Sequence, residues 1–293
     1  MKKARSFQLF GIFGHPLSHT LSPAMHEAAF RSLGIDANYI VMDLMPQPFK
    51  KLMGRASSLV LSGFNVTVPY KETVIRYLDK VRPEAKAIGA VNTVYRRGNR
   101  WEGANTDMEG FLMALKQDGK FHPAGKKAVV LGAGGAARAV VYGLSRERVR
   151  EVMIADCFPE KARKIVRDMK KIFPRVHYYA VPAGTAAVKD AIQTADIVMN
   201  ATPLGLKASD SRVVPESWIP RAKGDAMFFM DLIYNPAMTP FLKEAKRKGH
   251  RTLNGLGMLL YQGARALELW TGRRAPVPVM RRALLGALKG QGK

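Results

Sequence analysis

Short apolar runs separated by turn residues fill the first 105 positions of the chain. They predict four strands, at residues 9–13, 39–42, 64–68 and 90–95. Between the first two strands, apolar residues at helical spacing predict a helix with Ser22 at its N-cap and Pro23 at its first position, ended by Gly34. Because strands and helices alternate, this half predicts a mostly parallel sheet.

A second series of strands and helices begins near residue 126. The continuous apolar runs are typical of strands buried on both faces, and they fall at residues 128–131, 152–155, 197–200 and 227–230. One helix is predicted to run to about Leu144, a basic one to about Phe173, and a last one from Gly257 to Gly272. The pattern predicts an α/β protein of two domains that divide near residues 108–117, with the chain returning to the first domain after Gly257.

The turn after the first strand of the second series is rich in glycine and fits the pattern G-x-G-x-x-A. It reads Gly132-Ala133-Gly134-Gly135-Ala136-Ala137. Between a strand and a helix, such a turn lets backbone amides approach a pyrophosphate, and the helix N-terminus favours its negative charge. The alternative is a turn that only allows close helix–strand packing. The flanking strand and helix favour a dinucleotide site.

Asp156 bears on the choice of dinucleotide. It ends the next strand, 156 − 135 = 21 residues after the last glycine of the turn. A carboxylate there can accept hydrogen bonds from the ribose hydroxyls and repel a 2′-phosphate, so Asp156 predicts NAD over NADP. Its other interpretation is a helix N-cap. Cys157 and Phe158 offer no guanidinium, whereas Lys161 could reach back towards a phosphate.

Charge is the unusual bulk property of the 293 residues, which carry a formal net charge of +24. A basic surface can indicate nucleic-acid binding, but no aromatic-interleaved basic stripe or zinc-finger spacing is present, so we favour a basic enzyme with anionic substrates and no nucleic-acid partner. A single cysteine, no apolar run of membrane length and no signal-peptide cleavage site predict a cytoplasmic protein.

Seven polar or glycine-containing motifs lie along the chain, at residues 14–26, 65–71, 88–93, 103–107, 200–205, 231–236 and 255–264. They occur in the order in which they stand in the shikimate/quinate dehydrogenase family, and the chain resembles that family over nearly its whole length. The resemblance implies an N-terminal α/β substrate domain at residues 1–107, rejoined by 257–293. It also implies a C-terminal Rossmann domain at residues 108–256, with the active site in the cleft between the domains.

The resemblance also implies site residues. Lys71 and Asp107 match the catalytic pair at the alcohol being oxidised. The positions matching substrate contacts are Thr20, Ser22 and Tyr234 for the carboxylate, and Thr67, Asn92 and Gln262 for the ring hydroxyls. The positions matching cofactor contacts are Gly132, Ala133, Gly134, Gly135, Ala136, Ala137, Asp156, Thr202, Leu232 and Gly255, and no metal site is implied.

The chain departs from the family pattern at two single residues and one three-residue segment. Thr20 stands where many members have serine, and Leu206 stands where methionine is more usual. Asp156-Cys157-Phe158 replaces the Asn-Arg-Thr of NADP-using members. Taken alone, Lys71 could be a solvated lysine, and Asp107 or Ser22 a helix cap. If Lys71 is catalytic, it acts either as a base or as a cation that stabilises the developing alkoxide.

The leading hypothesis is an NAD-preferring dehydrogenase of shikimate or quinate, either a monomer or a homodimer. The second is an NADP-dependent biosynthetic shikimate dehydrogenase in which Lys161 contacts the phosphate. A third, of another class, is a non-catalytic ligand sensor on the same fold. A sensor has no need to keep Lys71 together with Asp107, which favours an enzyme.

Overall fold

A computed structural model describes residues 7–18, 20–207, 209–222, 224 and 226–291. His19, part of the first family motif, lies outside the described residues. The chain forms two compact units, residues 1–110 with 260–293, and residues 111–259. Of the helices in the described part, none is both long and apolar enough to span a bilayer.

The first unit is built on a mixed six-stranded sheet in the order β2-β1-β3-β5-β6-β4. Its elements in chain order are β1 (Gln8–Gly14), α1 (Ser22–Leu33), β2 (Ala37–Asp43), α2 (Pro46–Met53), β3 (Gly63–Val66), β4 (Lys80–Val81), α3 (Pro83–Ile88), β5 (Thr93–Arg97) and β6 (Arg100–Ala104). Strands β1, β2 and β3 are parallel, but β5 is antiparallel to both β3 and β6. A tight turn with Gly98 at φ +61° closes the β5–β6 hairpin, which the sequence pattern did not predict.

Helix α4 (Asp107–Met113) leads into the second unit, and a π-helical turn (Ala114–Asp118) follows it. The further elements are β7 (Lys127–Leu131), α5 (Gly135–Arg146), β8 (Glu151–Asp156), α6 (Pro159–Ile172), β9 (His177–Pro182), α7 (Ala186–Thr194), β10 (Ile197–Asn200), β11 (Phe228–Asp231), α8 (Pro240–Arg247) and β12 (Arg251–Leu253). All its strand pairs are parallel, in the order β12-β11-β10-β7-β8-β9.

Counted from β7, this sheet has the strand order 3-2-1-4-5-6 of a Rossmann fold. The order reverses between β7 and β10, and ligands of such sheets bind beyond the carboxyl ends of the strands at that point. The predicted α/β class with a Rossmann domain is therefore confirmed.

Two helices close the chain, α9 (Leu256–Thr271) and α10 (Val277–Gln291), of which only α9 was predicted. Each unit has its own apolar core. In the first, Phe13 packs edge-on against Phe49 and Phe64. In the second, Phe229 packs against Phe241, with Val198 in the same cluster. These cores fix the strands whose ends carry the polar residues described next.

Candidate active site

Lys71 and Asp107 form an ion pair in the first unit. Lys71 lies in the turn that follows β3, and Asp107 is the first residue of α4. Lys71 Nζ is 2.6 Å from Asp107 Oδ2, and the two side chains are only 13% and 7% exposed. The fold thus brings together the two residues predicted to be catalytic. Because solvent barely reaches the pair, it is a strong charge-assisted hydrogen bond.

Asn92 holds the other oxygen of Asp107. Its Nδ2 lies 2.9 Å from Asp107 Oδ1, 3.0 Å from Thr106 Oγ1 and 3.2 Å from Gln262 Oε1. A side-chain amide has only two hydrogens for these three acceptors, so the three contacts cannot all be full hydrogen bonds. The contact with Gln262 is the longest of the three and therefore the weakest. Asn92 Oδ1 accepts from the Thr106 amide at 2.7 Å. Two of the three predicted ring-hydroxyl contacts, Asn92 and Gln262, therefore lie beside the catalytic pair.

Thr20 and Ser22 lie together where α1 begins. The Ser22 amide donates to Thr20 Oγ1 at 3.4 Å. Ser22 is buried and Thr20 is half-buried. The predicted cap is wrong: the N-cap residue is Leu21, and Ser22 starts the helix itself.

The loop before Ser22 is held by Asp43 at the end of β2. Asp43 Oδ1 is 2.6 Å from His15 Nδ1, and Oδ2 accepts from the Leu17 amide at 2.8 Å. Hydrogen bonds from the Leu17 amide, which has the larger effect, and from His15 lower the pKa of Asp43.

Thr67, another predicted contact, is half-buried in the turn before Lys71, and its methyl group occupies the space where a Cβ on residue 14 would lie. Gly14 is needed there for that reason.

Four polar residues of this network were not predicted as site residues: Tyr39, Asn65, Thr93 and Thr106. Tyr39 Oη donates to Asn65 Oδ1 at 2.8 Å, and Asn65 Nδ2 donates to the Asn92 carbonyl oxygen and Thr93 Oγ1, each at 3.1 Å. The available signal was Asn65 itself, because a buried amide in an apolar strand needs hydrogen-bond partners. Tyr39 gave no such signal, since an aromatic residue is ordinary in a strand.

The glycine-rich turn of the second unit has the geometry of a pyrophosphate site. Gly132 has φ +105°, and a Cβ on it would lie 2.9 Å from the backbone of Ala201. Gly134 is exposed with open space around it, while Gly135 and Ala136 are half-buried and Ala133 and Ala137 are buried. Helix α5 starts without a carboxylate in its first turn. These residues fit a dinucleotide, because the N–H groups at a helix start favour phosphate oxygens.

Thr202, Leu232 and Gly255 follow β10, β11 and β12. Thr202 Oγ1 donates to Asn200 Oδ1 at 2.7 Å, and Asn200 Nδ2 contacts Asp231 Oδ1 at 3.0 Å. Burial raises the pKa of Asp231. The Leu232 carbonyl oxygen lies where a Cβ on residue 255 would be placed, so only glycine fits. Tyr234, the remaining predicted substrate contact, is half-buried in this second unit after β11.

Asp156 does not present a free carboxylate. Its Oδ2 accepts from the Ala133 amide at 2.6 Å and its Oδ1 from the Phe158 amide at 2.7 Å. The side chain thus ties the glycine-rich turn to the loop after β8. Nearby, the Lys161 ammonium lies 4.6 Å from the centre of the exposed Phe158 ring, in a cation–π contact.

Three family models together match most of the chain. The shikimate dehydrogenase substrate-binding domain matches residues 12–94, shikimate/quinate 5-dehydrogenase matches 114–247, and the shikimate 5′-dehydrogenase C-terminal domain matches 255–285.

Individual relatives agree with these models. Shikimate dehydrogenase (NADP(+)) of Methanopyrus kandleri is 40% identical over 95% of each chain. Shikimate 5-dehydrogenase of Thermus thermophilus, solved with NADP(H) and shikimate, superimposes with a TM-score of 0.82 at 36% identity, over 96% of this chain and 99% of that one. Quinate dehydrogenase of Corynebacterium glutamicum, solved with NAD, gives a TM-score of 0.85 at 32% identity, over 96% and 100%.

The NAD preference predicted from Asp156 is wrong. Curated relatives at 39–42% identity are named for NADP(+). The physical reason is in the geometry, because both Asp156 oxygens already accept backbone hydrogen bonds. A carboxylate engaged in this way shapes the loop and has less capacity to bind ribose hydroxyls.

Proposed function

The chain belongs to the shikimate dehydrogenase family, an NAD(P)-dependent oxidoreductase family acting on CH–OH groups, and from this premise we propose that it is an NADP-dependent shikimate dehydrogenase. It would interconvert shikimate and 3-dehydroshikimate. The observation that carries the proposal is the buried Lys71–Asp107 pair with Asn92 on its second oxygen. The sensor hypothesis loses its support, because the relatives are named as dehydrogenases.

The reaction removes a hydride and a proton from a secondary alcohol. Bound NADP supplies the nicotinamide ring that accepts the hydride. A substrate hydroxyl that contacts both members of the pair can pass its proton to the Asp107 carboxylate. Lys71, already an ion-pair partner at 2.6 Å, stabilises the negative charge that develops on the alcohol oxygen. Of the two roles open to Lys71, this geometry favours the cation over the base.

The substrate end opposite the reacting alcohol is assigned to Thr20 and Ser22, with Tyr234 as a further contact. Hydroxyl groups donate to a carboxylate without introducing a competing charge. Thr67, Asn92 and Gln262 would bind the ring hydroxyls. Gly132 to Ala137 would hold the pyrophosphate, with Thr202, Leu232 and Gly255 near the nicotinamide.

Lys161 is the group on this chain that suits a 2′-phosphate. Its ammonium is placed over Phe158 in the loop after β8, where the adenosine ribose lies in Rossmann folds. An exposed cation there can pair with a phosphate dianion. The Asp156 carboxylate, whose oxygens already accept two backbone hydrogen bonds, repels that phosphate only in part.

The test compares NADP⁺ with NAD⁺ at saturating shikimate. We expect a higher kcat/KM with NADP⁺, and Lys161→Ala should lower the NADP⁺ value by about tenfold, the scale of one charge-assisted hydrogen bond, without changing the NAD⁺ value. Lys171→Ala, at the far end of α6, is the control for loss of one positive charge. A wild-type enzyme that used NAD⁺ better would overturn the cofactor assignment.

Quinate is the second candidate substrate, because the matched family model covers both shikimate and quinate enzymes. The same assay with quinate in place of shikimate ranks the two. A kcat/KM for quinate above that for shikimate would replace the proposed substrate and leave the reaction type unchanged.

A further inference from the structure

The loop between β1 and α1 leads to two of the residues assigned to the substrate carboxylate, Thr20 and Ser22. It starts after Gly14, the last residue of β1, which pairs with Asp43 at the end of the parallel strand β2. Because the two strands end side by side, Asp43 lies where this loop begins. Asp43 itself takes no part in the proposed chemistry.

Asp43 holds the loop at two points. Its Oδ1 is 2.6 Å from His15 Nδ1, and its Oδ2 accepts from the backbone amide of Leu17 at 2.8 Å. Leu17 is 8% exposed, and a buried amide outside regular structure needs an acceptor from elsewhere in the chain. The carboxylate of Asp43 supplies that acceptor and so fixes the position of the Leu17 backbone.

From Leu17, hydrogen bonds continue to both substrate-binding residues. The Leu17 carbonyl oxygen accepts from the Thr20 amide at 3.2 Å, which closes a turn. Thr20 Oγ1 in turn accepts from the Ser22 amide at 3.4 Å. These two bonds are long and therefore weak. The position of the turn thus depends on the shorter bond that Asp43 makes to Leu17.

We propose that Asp43 is a positioning residue for the substrate, which sets the place of the Thr20 and Ser22 hydroxyls through its bond to the Leu17 amide. The inference rests on the proposed function, in which those hydroxyls bind the substrate carboxylate. The charge of Asp43 repels an anionic substrate, so a favourable contribution to binding has to come through the loop. Loss of that charge alone would lower the KM for shikimate, whereas loss of the loop's anchor would raise it.

The first experiment is Asp43→Ala, which removes both contacts of the carboxylate. We expect the KM for shikimate to rise about three- to tenfold, the scale of one hydrogen bond, with kcat within about twofold and the KM for NADP⁺ unchanged. The catalytic pair stays intact in this variant, and the side chain of Asp43 is 40% exposed, so its loss should not prevent folding. Asp43→Asn keeps an oxygen that can accept from the Leu17 amide, so its KM should return most of the way to the wild-type value.

Asp79→Ala is the matched control for the first experiment. Asp79 is also an exposed residue of the first unit, and its Oδ2 also accepts from a backbone amide, that of Trp101 in β6, at 2.7 Å. Neither Asp79 nor Trp101 is assigned to the substrate or the cofactor. The control removes one carboxylate and the same kind of bond, and it should leave the KM for shikimate at the wild-type value.

The second experiment adds Asp43→Ala to a variant that carries both Thr20→Val and Ser22→Ala. If Asp43 acts through those two hydroxyls, it should change the KM for shikimate by less than about twofold in that background, because coupled residues are not additive. All variants are assayed well below the lowest melting temperature among them.

Four results would overturn the inference while the proposed function stands. They are an unchanged or lowered KM in Asp43→Ala, an equal rise in Asp79→Ala, an Asp43→Asn variant no better than Asp43→Ala, and the full effect of Asp43→Ala in the variant without the two hydroxyls. A folded wild-type enzyme that does not oxidise shikimate with NADP⁺ would overturn the proposed function, and the inference with it.

Discussion

Single residues in the catalytic network are distinguished by how many of their polar atoms already have partners. Both carboxylate oxygens of Asp107 have a partner, Lys71 on one and Asn92 on the other. A carboxylate fixed in this way is held ready for a proton without having to reorient, which is the condition for efficient acid–base work. The activity should therefore depend on both members of the pair. The free energy of unfolding should depend on whether one of the two charges is left buried without its partner.

Lys71→Ala should lower kcat by at least about 100-fold, the usual effect of losing a general acid–base or charge-stabilising group. It should also lower stability, because Asp107 stays buried without its cation. Adding Asp107→Asn removes that unpaired charge, so the double variant should regain stability but not kcat. Steady-state kinetics and denaturant unfolding separate the two effects. Near-normal kcat in Lys71→Ala would show that Lys71 is not catalytic.

His26 should make the protein sensitive to acid. It is fully buried, its two ring nitrogens have no hydrogen-bond partner among the described residues, and burial lowers its pKa from 6.5 to about 3. Below pH 6.5 the unfolded chain binds a proton that the folded protein does not, so the free energy of unfolding falls as the pH drops towards 3. Between pH 7 and pH 5 the expected loss is about 2 kcal/mol.

The variant His26→Leu tests this by removing the titrating group while keeping a similar apolar volume. The change in the free energy of unfolding between pH 7 and pH 5, measured with urea, should be smaller than in the wild type by about that 2 kcal/mol. If the two proteins lose stability equally over this range, then His26 is not the origin of the acid sensitivity.

The role of a residue could be predicted from sequence where its own residue type and its neighbours along the chain indicate that role. The family motifs identified Lys71 and Asp107, and the fold brings them into contact. Asp156 was misread, because its bonds to the Ala133 and Phe158 amides depend on how two loops meet. Tyr39 was missed because its contacts with His26 and Asn65 arise from the fold, and no local pattern reveals them.

Among the elements, the β7–α5 turn carries the strictest backbone requirement of the cofactor site. Gly132 has φ +105° and faces the Ala201 backbone, whereas Gly134 has φ −82° and open space. Gly132→Ala should cost about 1–3 kcal/mol of folding free energy, the usual cost of such strain, and should weaken NADP binding. Gly134→Ala is the matched control for stability and should change the free energy of unfolding little. Equal stabilities of the two variants in cofactor-free unfolding experiments would contradict the assigned strain.

Strands with continuous apolar character could be predicted, and strands with mixed character could not. Strands β7, β8, β10 and β11 are buried in a parallel sheet, so each reads as an apolar run. Strand β9 is at the sheet edge and alternates, with His177 and Tyr179 exposed. It therefore lacks the aliphatic and β-branched run by which the strands buried on both faces were predicted. The antiparallel β5–β6 pair escaped prediction because β6 contains Arg100, Glu102 and Gly103 instead of an apolar run.

At the scale of the whole molecule, the net charge of +24 remains to be connected with function. Shikimate and NADP are anions, so a positive field raises their rate of encounter with the enzyme, and salt screens that field over about 10 Å at 0.1 M. We expect kcat/KM for shikimate, at saturating NADP⁺, to fall about tenfold between 10 and 500 mM NaCl. The value of kcat should change by less than about twofold, because the bound state is little screened.

The uncharged methyl ester of shikimate is the control for this effect. It has the same ring and reacting alcohol but no carboxylate charge, so its kcat/KM should depend on salt much less than that of the acid. A common salt dependence for acid and ester would mean that salt acts on the protein itself, through its stability or conformation. Salt-independent kinetics with the acid would mean that the excess of 47 basic over 23 acidic residues does not act on substrate encounter. The positive charge would then have to be explained by a property other than catalysis.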